Sequence, residues 1–232
     1  MDDVRFDLGL YTVPEAARLA GIPSRTLTNW VHGYRYPAGG RVAKARPVIR
    51  PPGRDALSFV NLVEVLALAG YREAGVPMQR VRKALDYAAR LMEEPHILAS
   101  ERLLTDGKEL FWRYQERSRE GGPDLVNLSR QGQKVFPEAV MRYLRQIEWA
   151  SDRFALRWWP GSETGEGPVV VDPRRAFGAP VIARTGIRTE DLFSRFRAGE
   201  PIQELAKDYG VDLGAVEAAI RIEAGFLEAA AA

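Results

Sequence analysis

The sequence predicts a mainly α-helical protein with small β elements, an α+β fold. One observation is a helix-turn-helix spacing that occurs twice, with a small residue, a glycine and an aliphatic residue four and six positions apart. These positions are Ala17, Gly21 and Leu27 in the first copy, and Ala206, Gly210 and Val216 in the second. A second observation is the pair Gly39-Gly40, which is typical of a two-residue β-hairpin turn. Apolar residues at helical spacing follow this pair, so we expect helices to dominate.

Composition excludes several classes of protein. The chain has 232 residues, of which 46% are hydrophobic and 28% charged, as in ordinary globular proteins. It contains no cysteine and two histidines, so we expect no disulfide, no thiolate nucleophile, no metal site and no cofactor. The acidic N-terminus does not resemble a signal peptide, and no apolar run reaches membrane-spanning length. We therefore expect a cytoplasmic protein without membrane contact.

Charge is distributed unevenly along the chain. Between Ala16 and Arg54 there are eight cations and no Asp or Glu. From Gly199 to the C-terminus there are two cations and seven acids. The first stretch therefore suits a polyanion such as DNA, and the last stretch does not.

Residues 11–31 are predicted to form the first helix-turn-helix. Pro14 suits the first helical position, Gly21 allows a positive φ, and Ser24 is a suitable N-cap for the second helix. Leu27, Trp30 and Val31 should face the core. The outer face of the second helix then carries the predicted base-reading residues, which are Arg25, Thr26, Thr28 and Asn29. The alternative is an ordinary αα-hairpin with a solvated polar face.

A basic segment rich in Gly and Pro follows, and it is predicted to be a wing that contacts phosphates. Gly39-Gly40 should form its turn, with short strands at 41–44 and 47–50. The further predicted DNA contacts are Arg18, Arg35, Tyr36, Arg41, Lys44, Arg46 and Arg50. A flexible basic loop is the alternative.

Two apolar helices should come next. Ser58 is a suitable cap for the first, which should end near Gly70, and Gly75-Val76-Pro77 should introduce the second. This order of elements resembles the DNA-binding domain of the MerR regulators, most closely at residues 13–27. The resemblance implies a winged helix-turn-helix over residues 1–95. The chain lacks the long dimerising coiled coil and the effector-binding cysteines of many such regulators.

Residues 96–160 are predicted to be a small α+β bridging segment. Asp106-Gly107 indicates a turn, residues 125–130 alternate like a short strand, and Pro137 should begin a helix that includes Ile147. Four tryptophans, at positions 112, 149, 158 and 159, are interpreted as core or interface residues. The Gly-rich residues 161–167 are predicted to be a linker, and they lack the Gly-Lys-Ser/Thr of a phosphate-binding loop.

The C-terminal unit, residues 168–232, is predicted to contain a short β-hairpin and three helices. Val169 begins the first strand, Thr189 should cap the first helix, Pro201 should open the second, and Asp212 should cap the last. This unit repeats the helix-turn-helix spacing, but its acidic charge would repel phosphates. It is therefore predicted to contact protein.

Two motifs of this unit, Asp172-Pro173 with residues 178–192 and then residues 199–211, resemble a prokaryotic domain family long described as being of unknown function. Its longer members carry a MerR-like helix-turn-helix and are similar to VapB-type antitoxins, which bind a PIN-type ribonuclease toxin and repress their own operon. The resemblance implies operator DNA, a PIN-like toxin and a homodimer as partners. Candidate toxin contacts are Arg174, Arg175, Arg184 and Arg188, and a merely solvated arginine is the alternative at each. Phe177 departs from the family, which more often has paired glycines before the proline.

Two other classes of function stay open at this point. A stand-alone transcription regulator could sense a ligand or a protein through the C-terminal domain. An enzyme is disfavoured, because neither histidine lies near an obvious nucleophile and the acids fall among surface charges of helices. We therefore predict no catalytic residues.

Overall fold

The computed structural model describes residues 3–53, 56–118, 124–128 and 131–231. Helices in the first part of the chain are α1 (Val4–Asp7), α2 (Val13–Leu19), α3 (Ser24–His32), α4 (Phe59–Glu73) and α5 (Met78–Met92). Strands in this part are β1 (Tyr11–Thr12), β2 (Tyr34–Ala38), β3 (Arg41–Ala45) and β4 (Ala56–Leu57). The antiparallel pairs are β1 with β4 and β2 with β3. Arg54, one of the eight counted cations, lies outside the described residues.

The second part of the chain follows the same pattern of helices and short antiparallel pairs. Its helices are α6 (Lys108–Ser118), α7 (Glu138–Leu144), α8 (Thr189–Arg197), α9 (Ile202–Tyr209) and α10 (Leu213–Ala231). Its strands are β5 (Asn127–Leu128), β6 (Lys134–Val135), β7 (Ile147–Trp149), β8 (Ala155–Trp158), β9 (Val169–Val170) and β10 (Val181–Ile182). The predicted mainly α fold with small β elements is confirmed.

Helix α4 lies at the centre of the main core. Every residue from Phe59 to Tyr71 is buried, so this helix is covered on all sides. The same hydrophobic cluster contains Leu27 of α3, Phe111 of α6 and Val140 of α7. The boundary predicted at 95/96 therefore lies inside one continuous core, because the bridging segment packs directly around α4.

Gly70 does not end α4, which continues to Glu73. A Cβ atom at Gly70 would lie 2.7 Å from the Cα of Val140 and 2.9 Å from the carbonyl oxygen of Ala139. Real Cβ atoms do not approach this closely, so the glycine permits α4 and α7 to pack backbone to backbone. The sequence signal of a helix end was in fact a signal of close packing.

The bridging segment differs from its prediction in two places. Residues 103–107 form a widened helical turn that leads into α6, so the turn predicted at Asp106-Gly107 is wrong. Ile147 lies in β7 and not in the helix that Pro137 introduces. In both places a side chain of the bridging segment packs into the main core, where Leu103 and Ile147 are buried. Ser129 and Arg130, the end of the predicted strand, lie outside the described residues.

Residues 161–167 form a loop between two paired segments. The backbone N–H of Trp158 donates to the carbonyl of Val171 at 3.0 Å, and the N–H of Val171 donates back at 2.8 Å. Inside the loop, the Ser162 Oγ accepts hydrogen bonds from the backbone of Thr164 and Glu166. The predicted linker is therefore a loop whose flanking residues are paired with each other.

The C-terminal unit has a smaller core of its own, between the β9–β10 hairpin and the helices α8, α9 and α10. Gly210 closes α9 with a φ of 63°, and the Asp212 carboxylate accepts the N–H of Ala215 at 2.9 Å as an N-cap. Both predictions are confirmed. The prediction for Thr189 was wrong: Arg188 occupies the cap position, and Thr189 is the first helical residue and fully buried.

A buried polar group lies on α4 beside the segment that follows α5. The Glu64 side chain accepts from the Asn61 amide at 2.9 Å and lies 3.0 Å from the Nδ1 of His96. This hydrogen bond raises the pKa of His96, against the opposing effect of burial. When it is protonated, His96 therefore forms a partly buried ion pair with Glu64.

Because the folded-state pKa of His96 is raised, its contribution to stability is complete below the ordinary histidine pKa. It is lost as pH rises through the higher folded value. We expect the free energy of unfolding to fall between about pH 6 and about pH 8.5, and to fall less in the variant His96→Gln. Urea unfolding at both pH values measures this. His32, which is exposed on α3, offers the control variant His32→Gln. An equal pH dependence in His96→Gln and the natural protein would contradict the assignment.

Candidate nucleic-acid interface

The first helix-turn-helix begins with a complete capping box. Thr12 accepts the N–H of Glu15 through its hydroxyl, and the Glu15 carboxylate accepts the N–H of Thr12 at 2.8 Å. These hydrogen bonds lower the pKa of Glu15. Gly21 has a φ of 64° between the two helices, as predicted. The predicted cap Ser24 was wrong by one residue, since Pro23 occupies the cap position with a ψ of 134° and Ser24 is the first helical residue.

Helix α3 has one buried face and one open face. Leu27, Trp30 and Val31 are buried, as predicted. Arg25 and Thr28 are exposed, while Thr26 and Asn29 are half-buried. These four predicted base-reading residues therefore lie away from the core, on a helix whose other face is buried in it. Thr28 also donates its hydroxyl to the carbonyl of Ser24 at 2.8 Å, which orients its side chain along the helix.

The wing is the hairpin β2–β3. Gly39 and Gly40 form its turn with φ values of 55° and 78°, and the predicted turn is confirmed. The predicted strand at 47–50 was wrong. The strand that pairs with β3 is instead β2, which precedes the turn. Residues 48 and 49 donate their N–H groups to the carbonyl of Trp30 on α3, so they lie against this helix and do not form a strand. A Cβ at Gly33, where α3 becomes β2, would lie 2.3 Å from the carbonyl oxygen of Ala45.

Strand register separates the two faces of the wing. Arg35 lies directly opposite Lys44, so these two exposed cations share one face. Tyr34 and Tyr36 lie on the other face, and the guanidinium of Arg82 on α5 stands 5.8 Å from the ring centre of Tyr34. Arg41, Arg46 and Arg50 are also exposed at the tip and after the wing. Arg35 and Lys44 thus lie on the face opposite the two tyrosines, and Tyr34 packs against Arg82 of α5.

Arg18 is placed differently from the other predicted DNA contacts. Its Nη1 lies 2.8 Å from the carboxylate of Glu223 on α10, and its guanidinium lies 5.6 Å from the ring centre of Phe226. Glu223 is buried and also accepts the hydroxyl of Thr189 at 2.5 Å. The prediction that Arg18 contacts DNA is therefore corrected, since this arginine joins the helix-turn-helix to the C-terminal unit.

The ion pair between Arg18 and Glu223 also changes the surface charge of the C-terminal unit. Glu223 is one of the seven acids counted from Gly199 to the C-terminus, but it is buried against Arg18. Glu200 and Asp208 both pair with Arg195, and this lowers the pKa of Glu200. The second helix-turn-helix is accordingly less acidic at its surface than the sequence suggests.

A second contact between the two units involves the loop between β9 and β10. The buried Tyr11 hydroxyl donates to the carbonyl of Gly178 at 2.9 Å, and burial raises the pKa of Tyr11. A Cβ at Gly178 would lie 2.3 Å from the same hydroxyl oxygen. A groove of about 280 Å³ lies along this contact, with Leu10 and Arg18 on one side and Phe177 and Pro180 on the other.

Phe177 is a residue that the sequence reasoning did not select. Ala176, Phe177 and Gly178 have consecutive positive φ values of 45°, 54° and 77°. A side chain in this region carries a cost of about 1–2 kcal/mol, which explains why glycine is the expected residue here. The Phe177 side chain is nevertheless 85% exposed. The strained backbone thus presents an aromatic ring to solvent. The sequence signal for this feature was Phe177 itself, at a place where the resembled family more often has glycine.

The predicted toxin contacts surround this loop. Arg174 and Arg184 are exposed. Arg175 donates to the carbonyl of Ala183 at 2.8 Å, and Arg188 pairs with Glu190 at 2.9 Å. Asp172 is buried, accepts the N–H of Arg174 and pairs with Arg157, so it fixes the start of the loop. Two of the four arginines are therefore fully available for a partner's charge.

Over the residues that the structure describes, no group of three or more His, Asp and Glu side chains is placed to hold a metal ion. Within the same residues, no helix has both the length and the apolar character needed to cross a membrane.

Known proteins resemble the chain over its two terminal units and over its whole length. A family described as "Putative DNA-binding HTH domain" matches residues 9–85, and one described as "Protein of unknown function (DUF433)" matches residues 169–221. The "Putative antitoxin VapB45" of Mycobacterium tuberculosis is 43% identical over 90% of this chain and 91% of that protein. "Uncharacterized protein Rv2308" of the same organism is 27% identical over 92% and 90%.

One solved structure resembles the fold along nearly the whole chain. The crystal structure of Rv2018 from Mycobacterium tuberculosis superimposes with a TM-score of 0.72 and 38% sequence identity. The alignment covers 93% of this chain and 99% of that one. The similarity therefore includes both helix-turn-helix units and the segment between them.

Proposed function

The chain belongs to the family of the "Putative antitoxin VapB45", and from this membership we propose that it is a DNA-binding antitoxin. In this proposal it neutralises a PIN-type ribonuclease toxin, represses its own operon and has no catalytic role. The observation that carries the proposal is the combination of family membership with an outward-facing α3 beside a basic wing. The protein would act in the cytoplasm, where its operator and toxin are found.

The proposed DNA reader is the unit formed by α2, α3 and the wing. Arg25 and Asn29 on α3 would read base edges in the major groove, with Thr26 and Thr28 beside them. Arg35, Arg41, Lys44, Arg46 and Arg50 would contact phosphates, with Tyr36 at the inner face of the wing. A homodimer would present two such helices to half-sites about one helical turn apart.

Substitutions on α3 and substitutions on the wing should affect DNA binding differently. Arg25→Ala or Asn29→Ala should each cost about 1–3 kcal/mol on the operator and relax base preference, because each removes a contact to a base edge. Arg41→Ala or Lys44→Ala should weaken binding to all duplexes and flatten the salt dependence. Fluorescence anisotropy with operator and scrambled duplexes at several salt concentrations measures both effects.

The exposed Arg221 on α10 provides the control variant Arg221→Ala, for which we expect no change on either duplex. If the α3 variants and the wing variants lose specificity equally, the division between a reading helix and a phosphate-contacting wing is wrong.

The proposed toxin-binding surface is the loop between β9 and β10 with its surroundings. The exposed ring of Phe177 is flanked in sequence by Arg174 and Arg175, and Arg184 and Arg188 follow β10. Aromatic and arginine side chains are enriched at the centres of protein interfaces. The cations also suit the acidic, metal-holding cleft that the family resemblance implies for a PIN nuclease.

Co-expression with the product of the neighbouring gene tests the antitoxin function. We expect the two proteins to co-elute in size-exclusion chromatography and the ribonuclease activity of the partner to fall. If this chain is folded and binds DNA but neither retains nor inhibits a neighbour-encoded PIN-like protein, the antitoxin proposal fails.

A further inference from the structure

A cavity of about 350 Å³ lies between the wing, helix α5 and residues 94–98. This volume falls within the range of small-molecule sites. Part of its lining is apolar and comes from Val48, Leu85, Ala89 and Ile97. It is separate from the outer face of α3 and from the Phe177 loop. Its wing-side lining shares Lys44, Arg46 and Arg50 with the proposed phosphate contacts, whereas its apolar wall and its α5 residues belong to neither the DNA-reading role nor the toxin-binding role.

Positive charge dominates the polar part of the lining. The cations are Lys44, Arg46, Arg50, Arg82 and Lys83, and the acids are Glu64, Asp86 and Glu94. Glu64 is already engaged by His96 and by the Asn61 amide. Glu94 lies 3.8 Å from Arg102. The cavity therefore combines an apolar wall with an excess of cations, which suits a ligand that has an anionic group and an apolar body.

Arg82 is the residue in this lining whose hydrogen bonding is incomplete. Its Nη1 donates to the carbonyl oxygen of Arg46 at the end of the wing, and its guanidinium lies over the ring of Tyr34. Its Nη2 is buried and has no hydrogen-bond partner in the described part of the chain. Burial also lowers the pKa of Arg82. A buried donor without a partner is costly, and a small turn of the half-buried Arg82 side chain would bring Nη2 to an anionic oxygen in the cavity, which would satisfy it with a charge-assisted hydrogen bond.

We propose that this cavity binds a small phosphate- or carboxylate-bearing molecule with an apolar body, and that Arg82 is its anchor. Arg50 and Lys44 would add charge around the same anion, and Leu85 and Val48 would contact the apolar part. Because Arg82 already holds the wing through the carbonyl of Arg46, a ligand bound to it would join α5 to the wing. The site would then set how firmly the phosphate-contacting hairpin is held.

The test uses the full chain and four probes at constant ionic strength, which are phenyl phosphate, inorganic phosphate, phenol and chloride. Isothermal titration should show saturable binding of phenyl phosphate, tighter than inorganic phosphate and much tighter than phenol. Arg82→Gln should weaken phenyl phosphate binding by about 10-fold or more, the loss expected for a hydrogen bond to a charged group. Arg50→Gln, at an exposed position of the lining, should weaken it to a smaller extent.

Arg90→Gln provides the matched control, since Arg90 is exposed on the same helix and does not line the cavity. Circular dichroism establishes that each variant is folded before titration. Binding of phenyl phosphate that is no stronger than that of chloride, or that is equal in Arg82→Gln, Arg50→Gln and the natural protein, would overturn the proposal.

A backbone phosphate of DNA could supply the same anionic group as a free small molecule. A competition experiment distinguishes these two occupants of the cavity. If the ligand is a free small molecule, phenyl phosphate should bind with unchanged stoichiometry to the complex of the protein with a random duplex. One-for-one displacement of the duplex at constant ionic strength would assign the cavity to the DNA backbone and overturn the proposal of a separate ligand. Loss of toxin binding or operator specificity in other variants would leave this result unaffected.

Discussion

Glu223→Ala is expected to lower the free energy of unfolding by about 3 kcal/mol, because it removes a buried carboxylate that two separate elements share. Its oxygens accept from Arg18 on α2 at 2.8 Å and from Thr189 on α8 at 2.5 Å. Without Glu223, the buried Thr189 hydroxyl loses this acceptor and the Arg18 guanidinium loses its counterion. Guanidinium chloride unfolding measures the change.

Glu217→Ala is the matched control, since Glu217 is an exposed acid on the same helix, and its effect should stay within about 0.5 kcal/mol. A double-mutant cycle with Arg18→Met then isolates the ion pair from the rest of the Glu223 effect. If Glu223→Ala is no more destabilising than Glu217→Ala, the contact between the first helix-turn-helix and the C-terminal unit does not depend on the Glu223 carboxylate.

Phe177→Gly is expected to weaken the complex with the toxin by at least about 2 kcal/mol, roughly a 30-fold loss of affinity. The same substitution should leave the protein as stable as before or stabilise it by up to about 1 kcal/mol. Glycine adopts the φ of 54° without steric cost, although it gains more entropy on unfolding. Toxin binding should thus weaken without any loss of stability, which a merely structural role of Phe177 would not produce.

The affinity is measured by titrating the catalytically silenced toxin, and the stability by chemical unfolding of the free chain. Phe196 on α8 is another exposed aromatic residue of the same unit, and Phe196→Ala should leave toxin affinity unchanged. Equal losses from Phe177→Gly and Phe196→Ala would indicate general destabilisation of the unit. Unchanged affinity in Phe177→Gly would place the toxin elsewhere on the surface.

Local signals were sufficient for much of the backbone and for the identity of the proposed DNA face. Gly21 and Gly210 end helices, Gly39-Gly40 forms a hairpin turn, and Asp212 caps a helix, since each effect depends on the residue and its nearest neighbours. Where a similar local signal failed, at Gly70 and at Asp106-Gly107, packing against another element had overridden it. A glycine reports either a turn or a close approach, and the sequence does not distinguish them.

Residue order and local chemistry specify the two helix-turn-helix units, the basic character of the first and the order of elements between them. The pairing of Arg18 with Glu223, 205 positions away, the exposure of Phe177 and the burial of Thr189 depend on the packed fold. It also placed Arg82 between the wing and α5, with a buried donor to satisfy. Backbone conformation follows from short-range sterics and hydrogen bonds. The partner of a charge depends on which surfaces the completed core brings together.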